Sequence, residues 1–144
     1  MEIRLMRPTD IESVIKGEEA TLGETLGKEF FEQELTNPLA YFWVATKNDE
    51  VIGYIGAYVV PPSADIISFY VLDAYQKQGY GSKLMTRLLD ECGRLKVEAV
   101  TLEVKEGNNK GINFYLKNGF QKINIRKHYY QDGSNALLMK KVIK

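Results

Sequence analysis

An apolar run, Ile66–Leu72, leads through a short turn into Gln76-Lys77-Gln78-Gly79-Tyr80-Gly81, after which the sequence takes up helical spacing. A strand of near-continuous apolar character is covered on both faces, which places it centrally in a sheet. Beyond the turn, Leu84, Met85, Leu88, Leu89 and Cys92 share one face of a helix from about Gly81 to Gly93. Strand, glycine turn and amphipathic helix in this order call for a layered α/β fold. Two glycines let the backbone approach a ligand without an intruding side chain. A helix start adds unpaired N–H groups and a partial positive charge. The junction therefore suits an anion, a diphosphate above all, with Lys77 or Lys83 near enough to add charge. A tight turn with no ligand also explains two glycines, and spacing alone leaves both readings open. A dinucleotide fingerprint needs a third glycine where Leu84 stands, and a Walker-type Gly-Lys-Ser/Thr ending is absent.

The rest of the chain extends the same layered pattern. Ile3, Leu5 and Met6 begin a strand stopped by Pro8; Thr9 is placed to cap a helix, with Glu12 at the capping-box position. Ile11, Val14 and Ile15 form that helix's apolar face. Thr21–Lys28 has no clean period, and Phe30–Leu35 reads as a short helix ended by Asn37-Pro38. Strands follow at Tyr41–Thr46 and Val51–Val60, broken by Pro61-Pro62, and later at Ala99–Val104, from Phe120, and at Ala136–Val142. A helix over about Lys110–Asn118 is stopped by Asn118-Gly119. With 144 residues and no linker or repeat, the expectation is one domain over residues 1–144.

Charge and cysteine content narrow the function classes. Nineteen basic residues balance nineteen acidic ones, against the basic excess of a nucleic-acid binder. One cysteine, Cys92, and one histidine, His128, provide no disulfide and no zinc cluster. No run approaches a membrane span, and the N-terminus lacks a signal-peptide core. A cytoplasmic protein needing no metal, no membrane and no direct nucleic-acid contact is expected, as monomer or homodimer.

Two side chains stand out for chemistry. In Val100-Thr101-Leu102-Glu103-Val104, alternation puts Glu103 on the opposite face from Leu102 and Val104. Strands disfavour glutamate, although a solvated acid on an open sheet face fits the pattern too. Tyr115 shares a helix face with Ile112 and Leu116, where it either packs or aims its hydroxyl at a site. Cys92, on an apolar face, reads as core.

The segment Gln76–Gly81 resembles the Gln/Arg-x-x-Gly-x-Gly/Ala pyrophosphate loop of the GCN5-related N-acetyltransferases (GNAT), and Val71-Leu72-Asp73-Ala74-Tyr75 resembles their lead-in strand. Leu102-Glu103-Val104-Lys105, Asn108, Ile112-Asn113-Phe114-Tyr115 and Gly119-Phe120 resemble the ribosomal-protein alanine N-acetyltransferases, the RimI type. Arg126-Lys127-His128-Tyr129-Tyr130 is similar to their Arg-x-x-Tyr-Tyr stretch, and Asn135–Met139 to their closing strand.

The resemblance covers essentially the whole chain. It implies the GNAT fold: a mixed, mostly antiparallel sheet of six to seven strands with about four helices. It also implies acetyl-coenzyme A as cosubstrate, held by Lys77, Gln78, Gly79, Tyr80, Gly81, Ser82 and Asn108. Backbone groups of Phe69, Tyr70 and Val71 would take the pantetheine arm and acetyl carbonyl. Glu103 would be the general base, Tyr115 the acid for the departing thiolate, and Arg126, Tyr129 and Tyr130 the border of a peptide groove. The acceptor so implied is a protein N-terminal amine, such as that of a small-subunit ribosomal protein. Two positions depart from the type. Tyr70 stands where a small residue is usual, so its ring either turns away or narrows the acceptor pocket. Leu22–Glu29 lacks the Trp-Ser pattern common at the type's acceptor loop. A small amine or an internal lysine is the rival acceptor; a non-catalytic acyl-coenzyme A sensor is the rival from another class.

Overall fold

The computed structural model describes residues 2–143. Seven strands form one sheet: β1 (Glu2–Leu5), β2 (Ala40–Lys47), β3 (Glu50–Val60), β4 (Ser63–Val71), β5 (Ala99–Lys105), β6 (Gln121–Arg126) and β7 (Ala136–Val142). Four α-helices accompany them: α1 (Ile11–Leu22), α2 (Lys28–Glu34), α3 (Tyr80–Arg94) and α4 (Asn109–Lys117). The spatial order is β1-β2-β3-β4-β5-β7-β6, and every neighbouring pair is antiparallel except β4 and β5. The expected GNAT architecture is present, with helices on both faces of the sheet.

Side-chain alternation explains why both faces are covered. Along β2, Phe42 and Val44 enter the cluster beneath α1 and α2, while Trp43 and Ala45 enter the one under α3 and α4. Leu84, Met85, Leu88 and Cys92 of α3 are fully buried on the second face, and each leucine or methionine contributes about 1.5–3 kcal/mol by leaving water. On the first face, Phe31 packs edge-on against Phe42 and Tyr54.

The start of α1 differs from the sequence expectation. Thr9 does not cap it; a 3-10 turn at Pro8–Asp10 precedes the helix, and the Asp10 carboxylate accepts the Arg7 N–H at 2.8 Å. The Arg4 guanidinium on β1 also grips Asp10 through two bonds of 2.8 and 3.0 Å. This bidentate charged pair outweighs a hydroxyl cap. The helix then runs into the segment that showed no clean period, stopping where Gly23 turns left-handed at φ +80°. The central strand likewise begins three residues before Ile66, at Ser63.

One irregularity shapes the middle of the sheet. Pairing of β3 with β4 passes from Gly56↔Ser68 to Ala57↔Ile66, so Ile67 is an extra residue, a β-bulge. The parallel pair β4–β5 is bonded only from Ser63↔Ala99 to Ile66↔Leu102. Beyond the bulge the two strands part, leaving Phe69–Val71 and Glu103–Lys105 on either side of a gap.

Candidate active site

The gap has main-chain donors on its β4 side. Leu72 N–H bonds Ile52 O on β3 at 2.9 Å, and hydrogen bonding alternates along an antiparallel strand. The amides of Phe69 and Val71 therefore point away from β3, into the gap. Val71 O, on that same side, accepts Gln76 Nε2 at 2.9 Å, which ties the glycine turn to the strand end.

At the turn itself the chain folds so that its amides stay unclaimed. Lys77 at φ +61° and Gly79 at φ +91° are both left-handed, an arrangement that gathers successive N–H groups into an anion-binding concavity. The first α3 amide to find a turn or helix carbonyl is Lys83, bonded to Gly79 O at 3.1 Å. Among the described residues, no acceptor takes the N–H groups from Lys77 to Ser82. With the positive end of α3 behind them, these amides could hold a diphosphate. A Cβ at Gly79 would meet nothing within 4 Å, so only its backbone conformation asks for glycine. Gly81 is different: a Cβ there would lie 3.2 Å from Phe114 and 3.3 Å from Phe69. Its bareness lets α3, α4 and β4 converge, with the Phe69 and Phe114 rings stacked 5.1 Å apart.

Not every residue expected at the turn offers its side chain. Tyr80 is buried against Tyr75, so only its amide is available. Gln78 Nε2 turns back to Ala74 O at 3.2 Å. Ser82 and Lys77 are exposed. Asn108 caps α4, its Oδ1 accepting Gly111 N–H at 3.0 Å, while its Nδ2 donates to no described protein group. The Tyr70 ring turns away from the gap. It is buried beneath α1, against Gly17, where a Cβ would sit only 2.0 Å from its hydroxyl oxygen.

Tyr115 and Glu103 occupy the two walls of the opening. Tyr115 packs on Phe69, Phe114 and Phe120. Burial, with Tyr130 nearby, drives its hydroxyl well above the ordinary tyrosine value of 10 and keeps it protonated. Glu103 lies opposite Leu138 on β7, half-buried, with Leu102 and Val104 facing the core. Its Oε2 is buried without a hydrogen bond, 3.7 Å from Arg126 Nε. Arg126 thus sits on the expected base rather than free in a groove. Its guanidinium also covers the exposed Tyr129 ring at 5.7 Å.

Tyr130 joins the two walls. Its hydroxyl is raised by burial, then by Glu103 and Tyr129 and least by Glu24, and the ring meets Tyr129 edge-on and Lys105 Nζ at 5.1 Å. Glu24 lies in the loop between α1 and α2, within the Leu22–Glu29 stretch that the resemblance implies to be the acceptor loop. Its anchor, Glu18, is 1% exposed. A signal for Glu18 was available: it continues the Ile11, Val14 spacing, an acid on an apolar stripe.

Other reactive groups stand aside. The Cys92 thiol is buried in the core, and burial with Glu91 pushes it up to about 11, leaving no thiolate nucleophile at neutral pH. His128 lies in the β6–β7 loop with Nδ1 3.3 Å from Gly133 O. Among the described residues, no cluster of three His, Cys, Asp or Glu could hold a metal, and no helix is long and apolar enough to cross a membrane.

Comparison with known proteins agrees with this geometry. The chain is 32% identical over 150 residues to an N-alpha-acetyltransferase of Sulfurisphaera tokodaii, covering 95% of this chain and 90% of that protein. The crystal structure of Ard1 from Thermoplasma volcanium superposes with a TM-score of 0.91 at 32% identity, covering 99% of this chain and 97% of the other. The ribosomal-protein-S18-alanine N-acetyltransferase of Escherichia coli superposes with a TM-score of 0.89 at 26% identity, covering 99% and 94%. A model of the acetyltransferase (GNAT) family matches residues 10–120, from the turn before α1 to the step after α4. The parted strands and the turn that flanks them fall inside that match: the chain belongs to the acetyltransferase (GNAT) family and is an acetyl-transferring enzyme.

Proposed function

We propose that the chain transfers an acetyl group from acetyl-coenzyme A to the N-terminal α-amine of a protein, a small-subunit ribosomal protein being the favoured acceptor. The observation that carries this reading is the gap between β4 and β5, with unclaimed amides at Lys77–Ser82 near one end and the unbonded Glu103 Oε2 by its wall. The relatives named for N-alpha and ribosomal-protein alanine acetylation support the choice of acceptor.

Each step falls to a named group. The diphosphate lies on the turn amides, with Asn108 Nδ2 and the exposed Ser82 able to add contacts, and the pantetheine arm follows Phe69–Val71. An α-amine has a pKa of about 8, so roughly a tenth is neutral at pH 7. Glu103, directly or through one water, takes the proton the ammonium must lose. The nitrogen lone pair attacks the thioester carbon, and the Val71 amide stabilises the oxyanion. As the carbon–sulfur bond breaks, Tyr115 gives its proton to the thiolate, and the second proton that the nitrogen sheds on becoming an amide passes to the tyrosinate, directly or through water, and restores the hydroxyl. Arg126, Tyr129 and Tyr130 border the path of the peptide behind its first residue.

The test is transfer of labelled acetyl groups to free N-terminal peptides of ribosomal proteins, to polyamines and to N-blocked lysine peptides, read by mass spectrometry. Label on free N-termini is the expected result. Label confined to polyamines or lysines moves the reading to a rival acceptor, and no thiol release with any amine reduces the protein to an acyl-coenzyme A sensor.

A further inference from the structure

Glu18 is the least exposed charged side chain in the core, and no lysine or arginine among the described residues pairs with it. Burying an unpaired carboxylate is costly unless hydrogen bonds replace its water. Those bonds come from two separate places. Oε1 accepts the Thr25 hydroxyl at 2.6 Å and the Leu26 N–H at 3.2 Å, both in the loop after α1. Oε2 accepts the Ser68 hydroxyl at 2.7 Å, from the residue just past the Ile67 bulge that opens the sheet. The buried hydroxyls of Tyr54 and Tyr70 complete the surroundings without a hydrogen bond of their own. Both are raised by burial first and by the Glu18 charge next, which places them beside it.

The loop held by Glu18 has little else to fix it. Left-handed Gly23 and Gly27, at φ +80° and +94°, bound it, and a Cβ at either would meet nothing within 4 Å. Leu22 and Leu26 are exposed, and the Glu24 charge reaches Tyr130 at the gap. One oxygen of a single buried carboxylate thus holds the loop, and the other holds the strand at the point where the gap begins.

We infer that Glu18 is a positioning residue for the acceptor: it fixes the Gly23–Gly27 loop against β4, so that the loop forms the wall that the incoming amine meets. This rests on the acetyl-transfer reading above, and on the acceptor entering from the α1–α2 side. Glu18 touches no reacting atom; it acts through the loop.

Thr25→Val tests this by removing the loop's side-chain donor to Glu18, and with it the acceptor of the Gly27 N–H at 3.1 Å, while leaving the Leu26 N–H, the core carboxylate and Ser68 in place. The expected result is an acceptor KM raised about tenfold, the worth of one charge-assisted hydrogen bond. Acetyl-coenzyme A affinity should stay as in the wild type and the melting temperature should fall by only a few degrees, while the Leu26 amide exchanges faster with deuterium. Glu18→Gln should keep most of the wild-type acceptor KM, because its Oε1 can still accept from Thr25 and Leu26 while its Nε2 meets Ser68. A Thr25→Val protein with faster Leu26 exchange but unchanged acceptor KM would overturn the inference. So would parallel losses in acceptor KM, acetyl-coenzyme A affinity and melting temperature, which mark a purely structural bond. The exchange measurement needs no substrate. A wild type idle on N-terminal peptides therefore sinks the parent reading alone, and the acceptor KM is then read with the polyamine or lysine peptide it does acetylate.

Discussion

Tyr115 and Glu103 divide the proton traffic of the proposed reaction, and each gives a distinct signature when changed. Tyr115→Phe keeps the ring packing on Phe69 and Phe120 and removes only the proton. Turnover should fall about a hundredfold, within the usual range for a general acid, with acetyl-coenzyme A affinity nearly unchanged in a calorimetric titration. Since burial raises this hydroxyl above 10, it stays protonated over the working range. The alkaline limb of a wild-type rate profile up to pH 10 should therefore not report its ionisation. Glu103→Gln should depress kcat/KM most at low pH, where neutral amine is scarce, and the loss should narrow as pH rises towards the amine's own pKa; an unchanged profile would count against the base. Both side chains were visible in sequence as an acid alternating with core residues and a tyrosine at helical spacing. Glu18 is harder to read, because a stripe shared with Ile11 and Val14 looks like core, and its donors come from Thr25 and Ser68, the latter fifty positions away.

Among the elements, the turn into α3 is where the proposed function puts the diphosphate, and its geometry predicts an asymmetry between its two glycines. Gly79→Ala forces a side chain into φ +91° with no clash against the protein. It should cost about 1–2 kcal/mol in folding, and acetyl-coenzyme A affinity should fall well beyond that as the amides rotate; denaturant titration and calorimetry separate the two effects. Gly81→Ala instead presses on Phe69 and Phe114 at 3.2–3.3 Å and should disturb the gap wall. The elements themselves were largely legible: β7 has the bounds expected from sequence, and α3 and α4 lie within about a residue of theirs. What local pattern could not supply was anything decided by a partner strand. The Ile67 bulge exists only in register with Gly56 and Ala57, and the α1 cap moved because Arg4, on another element, claims Asp10.

Taken whole, the molecule stores much of its core in aromatic side chains that must remain neutral. Tyr54, Tyr70 and Tyr115 are all raised above the ordinary value of 10, chiefly by burial. A neutral form favoured by folding gives stability that is complete below pH 10 and drains away as pH climbs through the raised values. Melting temperature should hold level up to about pH 10 and drop above it, with the share of tyrosinate absorbance that belongs to Tyr54, Tyr70 and Tyr115 appearing together with unfolding rather than before it. At this scale the layered α/β order and the family were readable from the glycine turn and its neighbours, whereas the parting of β4 from β5 emerged only from their pairing. That parting, with free amides beside it, is what the proposed chemistry requires. Its most direct test is an amide NMR titration of the protein with acetyl-coenzyme A. The account predicts that the N–H resonances of Lys77–Ser82 and Val71 shift in proportion to occupancy, while NAD leaves them in place. Saturation with acetyl-coenzyme A that leaves those resonances unmoved would contradict it.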